Sequence, residues 1–155
     1  MAWQKLASEN ASGSSTNLSS GTITAKKSLQ VLGTSYSDAP SSALTVNNDV
    51  GNNYARRYSS NGGADSTSVS QPKIAIFPFN NPAQFFVSYN INVSTEEKLF
   101  IVYAVQNNVA GAGSAPNTSE SVFKWDNTSS QITEMDIDKT GNFTSDTNLT
   151  IFGTD

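Results

Sequence analysis

The stretch AQFFVSYNINV, residues 83–93, does most to restrict what this chain can become. Phe85, Val87, Tyr89, Ile91 and Val93 alternate with Gln84, Phe86, Ser88, Asn90 and Asn92. Period two held over about ten residues is the pattern of a long strand with one buried face. Its neighbours in sequence read the same way. PKIAIFPF comes before it as a strand in which Pro78 marks an edge or a bulge, because proline gives no backbone donor to a ladder. After the turn STEE comes KLFIVYAVQN, residues 98–107, apolar on both faces. A strand of that kind belongs at the centre of a sheet or at a subunit contact, and Phe100 and Val102 are the candidates for the contact.

Shorter strand patterns fill the rest of residues 21–155. Leu29, Val31 and Gly33 share a face in one; Leu44 and Val46 are in phase in another; VFKWD places Phe123 and Trp125 together. Asn61-Gly62-Gly63 is the strongest hairpin signal, since Asn and Gly accept positive φ. No segment sustains a 3.6-residue period, so at most one short helical turn is expected. Roughly ten short strands at spacings of about 8–12 residues predict an all-β fold, an antiparallel β-sandwich of jelly-roll type. Residues 1–20 are mostly Ser, Asn, Gly and Ala and read as a non-regular N-terminal arm, docked or disordered. Trp3 and Leu6 are its anchors, the residues expected to dock on a partner.

The chain has neither histidine nor cysteine. That removes the Ser-His-Asp triad, the Cys-His pair, the usual zinc ligands and any disulfide. A net charge of −4 and the lack of a basic stripe argue against nucleic acid. Among the acids, Glu96-Glu97 sit in a turn beside Lys98, where carboxylates are solvated, so no catalytic pair is assigned. DIDKTGN, residues 136–142, imitates the first half of a calcium loop, but the twelfth position holds Thr147 instead of a bidentate acid. Alternation puts Glu134, Asp136 and Asp138 on the polar face of a strand that ends in the turn KTGN. No metal and no cofactor are expected. The N-x-S/T triplets, Asn92 among them, follow from a Ser/Thr-rich composition. No run is long enough for a membrane span, and MAWQKLASENASGSS has no apolar signal region. Tyr54, Tyr58 and Arg56 form a possible ligand face, where two rings flank a cation as a sugar platform would.

AWQKL, SGTITAKKSLQVL, NGGADSTSVSQ, AGAGSAP and ESVFKWDNTSSQIT, in that order, make the chain resemble small jelly-roll virion proteins of marine bacteriophages. The resemblance runs from Ala2 to about Ile137 and contains no catalytic motif. It implies a structural protein on the virion surface, made in the host cytoplasm: a capsid decoration or accessory protein anchored by its N-terminal arm. Its partners would be capsid or tail proteins, and it would be a homo-oligomer, commonly a trimer. The alternative within the same resemblance is a fibre, appendage or receptor-binding domain that meets a host surface glycan.

Overall fold

The structure, a computed structural model, describes residues 2–36, 42–76, 83–107 and 110–155; Pro78 lies outside them. The described residues form twelve strands and no helix. They are β1 (Gln4–Asn10), β2 (Asn17–Ser19), β3 (Ser28–Tyr36), β4 (Ser42–Val46), β5 (Tyr54–Ser60) and β6 (Ser66–Gln71). The remaining six are β7 (Ile74–Ala75), β8 (Ala83–Ile91), β9 (Lys98–Gln106), β10 (Asn117–Trp125), β11 (Met135–Lys139) and β12 (Asn148–Thr154). Two antiparallel sheets pack as a sandwich. The wide one has the order β1-β12-β3-β8-β9-β10-β5-β6, and the narrow one β2-β11-β4-β7.

The strand order is that of a jelly roll with two additions. In the basic wrap β1, β2, β3 and β4 pair with β12, β11, β8 and β7 respectively, each antiparallel. A long two-stranded ribbon is thereby folded over itself, and successive pairs fall in alternate sheets. The pair β5–β6 is inserted between β4 and β7, and β9–β10 between β8 and β11. Both insertions extend the wide sheet beyond β8, which makes it twice as wide as its partner. The β5–β6 connection turns at Asn61 (φ 51°) and Gly62 (φ 69°), as the Asn-Gly signal requires.

Between the sheets lie Leu29 and Val31 from β3, Leu149 and Ile151 from β12, Leu44 and Val46 from β4, and Met135 and Ile137 from β11, all fully buried. Gly33 faces inward too. It is the cross-strand partner of Phe86, whose ring fills the space a side chain at position 33 would need. Phe123 and Trp125 share the buried face of β10, as their spacing predicts.

Two expectations meet a different outcome. Residues 1–20, read as an irregular arm, supply β1 and β2. β1 pairs with β12 from Gln4↔Gly153 to Asn10↔Asn148, with an irregularity between Lys5 and Ala7, and β2 pairs with β11. The segment is poor in apolar side chains because its contribution is largely made by the backbone, which covers the open edge of β12.

The second difference is in β8. The strand buries Gln84, Phe86, Ser88 and Asn90, and turns Phe85, Tyr89 and Ile91 outward. The period was right and the face was inverted. The inverted phase follows from the neighbours: the inward residues of β3, Leu29 and Val31, lie across from Asn90 and Ser88, where only small or polar side chains leave room. Just past β8, Asn92 is buried and fully used. It accepts from the Ile132 amide (2.6 Å) and donates to the carbonyls of Lys26 (3.0 Å) and Ile132 (3.2 Å).

Candidate functional site

Because β8 shows its apolar stripe to solvent, the outer face of the wide sheet carries an apolar surface. Cross-strand register assembles it in rows. Tyr89, Ile101 and Val122 lie side by side on β8, β9 and β10; Ile91 and Leu99 lie in the next row; Val87 and Tyr103 flank them on the other side. Ile101, at the middle, is 61% exposed. The rows form the floor of a trough of about 790 Å³ that crosses the strands from β3 to β6. At the ~4.8 Å spacing of paired strands it is about 24 Å long. Trp3 stands at one end and Val69, on β6, at the other.

The trough has few polar groups, and two of the three cations that line it are ion-paired. Lys124 Nζ binds Glu97 at 2.9 Å, and Arg57 Nη1 binds Asp65 at 3.3 Å. Gln30 Nε2 donates to the Tyr89 hydroxyl at 3.1 Å. Among the described residues, the only large exposed apolar side chain off the wide sheet's outer face is Val50; Tyr36 is on that face at the end of β3, outside the trough.

The residues singled out from sequence are dispersed. Trp3 is 47% exposed and belongs to the trough, whereas Leu6 packs against the core. Phe100 and Val102 lie on the right strand but on its inner face, buried between the sheets; the residues of β9 free for a subunit contact are Leu99, Ile101 and Tyr103. Tyr54 is 1% exposed and does not belong to a ligand face. Its hydroxyl donates to the Asp49 carbonyl (3.0 Å) and accepts from the Val46 amide (3.3 Å), and burial pushes the phenol well above its ordinary pKa. Arg56 and Tyr58 are half-buried, with the guanidinium 4.0 Å from the ring centroid, so each covers the other. The sugar platform read from these three residues is therefore not assembled.

The polar corner around Trp125 is structural. Its indole donates to Asp49 Oδ2 at 2.6 Å. Burial raises the Asp49 pKa, but hydrogen bonds from Asn53, Trp125 and Gly51 outweigh it and hold the carboxyl below its usual value. Lys98 is fully buried beside Trp125. It donates to the carbonyls of Glu96 (2.5 Å) and Asn127 (2.6 Å), and desolvation lowers its pKa.

Asp136 and Asp138 do lie on the outward side of β11, while Met135 and Ile137 enter the core. Asp138 is taken up by Asn17 Nδ2 (2.9 Å), Thr45 Oγ1 (3.2 Å) and Lys73 Nζ (3.2 Å). Asp136 is 2% exposed, and its Oδ1 has no hydrogen-bond partner. Burial raises its pKa, and the nearby charges of Glu134 and Asp138 raise it further. Among the described residues no group of three or more acidic side chains could hold a metal ion, and no helix is long and apolar enough to cross a membrane.

No family model matches the chain, and no curated protein matches it. The outward set Tyr89, Leu99, Ile101 and Val122 is the part of the site that sequence reading missed. The signal was present in β9, whose two faces are both apolar; choosing Phe100 and Val102 selected the set that the narrow sheet and neighbouring strands need.

Proposed function

We propose that this chain is a structural protein of a virus particle, a decoration or accessory subunit whose work is to bind and not to catalyse. The observation that carries the reading is the broad apolar outer face on a jelly-roll sandwich. Such a face is costly to leave in water, at roughly 25 cal/mol for each Å², and patches of this size mark places where proteins meet. The inserted strands β9 and β10 supply much of that face, and they lie outside the eight-stranded wrap. The absence of histidine and cysteine from the chain narrows the chemistry available for turnover. The sequence resemblance to small virion proteins supplies the class of assembly.

Anchoring is reassigned within this reading. Trp3 keeps its place as an exposed anchor, while Leu6, within β1, belongs to the sandwich. The outer face with Trp3 at its end, not a free arm, is then the surface through which the subunit assembles. The test is a density gradient of particles from an infected culture, probed with antibody raised against the purified protein. Antigen banding with intact particles is expected. Antigen confined to the soluble fractions at the top, with none in the particle band, overturns the reading.

A further inference from the structure

We infer that the outer face of β8, β9 and β10 is the seat of a second copy of this chain, joined face to face about a two-fold axis that passes near Ile101. Exposed area is the first support. Six side chains on these three strands, Phe85, Tyr89, Ile91, Leu99, Ile101 and Val122, are each about half exposed. Aromatic side chains offer roughly 150–250 Å² apiece and aliphatic ones somewhat less, so these six leave on the order of 500 Å² of apolar surface. Trp3, Tyr103 and Val69 add enough to approach the ~800 Å² per partner of a standard stable interface. The largest patch of an ordinary monomer is about 300–600 Å², so the face with these additions lies above the top of that range.

Charge is the second support. The cations at the rim are already held by their own carboxylates, Lys124 by Glu97 and Arg57 by Asp65. A second copy brings the same paired cations, but also the exposed Glu120 of β10, across from Tyr103, which such a contact must leave at its solvent rim. An acidic partner or nucleic acid would find Lys124 and Arg57 already paired and Arg56 stacked on Tyr58.

Symmetry is the third. Among the described residues there is one such face, and a two-fold contact uses one patch twice, whereas a ring of three needs two different patches on each copy. Shape is compatible. The twist of the sheet makes its face a saddle, hollow along the trough and bowed along the other diagonal. Two saddles fit when the bow of one enters the hollow of the other, which two sheets of the same twist achieve with their strands roughly aligned. At the axis Ile101 then faces its own counterpart.

The experiment uses the full chain. Sedimentation of the wild type at tens of micromolar is expected to give twice the mass of the chain, and I101E is expected to give the mass of one copy with an unchanged circular dichroism spectrum. The wild type has no cysteine, so I101C is the sole thiol of its variant. A short bismaleimide is expected to link it into dimers in high yield, while V50C, on a loop outside the trough, stays unlinked. A monomeric wild type in which I101C fails to cross-link overturns the inference, and so does an open-ended polymer. If I101E does not fold, the I101C yield against V50C decides alone. The inference does not rest on the virion reading: a dimer that never bands with particles sinks that reading and leaves this one standing.

Discussion

Replacing Gly33 with alanine is a small change whose sign the packing reverses. Gly33 lies in the middle of β3 and has no need of positive φ. At such a site Gly→Ala ordinarily stabilises a protein by about 0.4–1 kcal/mol, by restricting the unfolded chain. Here the new Cβ would stand 2.2 Å from Phe86 Cε1 and 2.5 Å from Cζ. Non-bonded carbons settle at about 3.5–4.0 Å, so the ring must retreat by more than 1 Å from a site where it is fully buried. Overpacking of that kind costs about 1–3 kcal/mol. Set against the usual gain, G33A is expected to be destabilised by about 1–2 kcal/mol, which for a domain of this size lowers Tm by about 3–8 °C. Leucine at position 86 lacks both clashing atoms. The double variant G33A/F86L should therefore be no less stable than F86L alone, a coupling of at least ~1 kcal/mol. Urea unfolding followed by tryptophan fluorescence reads all four corners of the cycle. A G33A protein at or above wild-type stability, or an equal penalty in both backgrounds, would refute this account of the contact.

Asn92→Ala leaves the Ile132 amide and two carbonyls without their partner in the interior; a loss of about 2–4 kcal/mol is expected, and unfolding at wild-type denaturant concentration would contradict it. Removing residues 2–12 deletes β1 and uncovers the edge of β12, so the truncated protein should be markedly less stable or insoluble; an unchanged melting temperature would restore the free arm. Asp136 has a folded-state pKa above its ordinary 3.8. The protonated carboxyl thus favours the fold, fully so below 3.8, and that contribution is lost as pH rises through the folded-state value. Asp136→Asn is accordingly expected to stabilise the protein at pH 7 by on the order of 1 kcal/mol and to flatten the stability profile above pH 4. Thermal melts across pH 4–8 check both, and a destabilised variant with the wild-type profile would count against the assignment.

Much of the architecture could be read from residue order because alternation and turn chemistry are local signals. Phe123 and Trp125, Leu29 and Val31, and the Asn61-Gly62 turn behaved as their spacing predicts. What stayed hidden depends on partners far away in the chain. Whether the Phe85 or the Phe86 set of β8 faces inward is decided by Leu29 and Val31 across the ladder, and a shift of one residue reverses every side chain. β1 was invisible for a different reason: its pairing with β12 uses main-chain groups, which composition does not register. The outer face suffered from both effects. Its residues are apolar, so they looked like core, and only the register showed that the core was already filled by Phe86, Phe100 and Val102.

The pairing of Gln4 with Gly153 has a topological consequence. Residues 149 positions apart lie one strand spacing from each other, about 4.8 Å, at the same end of neighbouring strands. A short linker from the end of β12 to the start of β1 would close the backbone into a ring without disturbing a single ladder. New ends could then be opened in an exposed connection such as Asn61-Gly62, between β5 and β6. In the rearranged chain β12 and β1 would be joined by a tight hairpin, and the most distant pairing of the native order would become one of the most local.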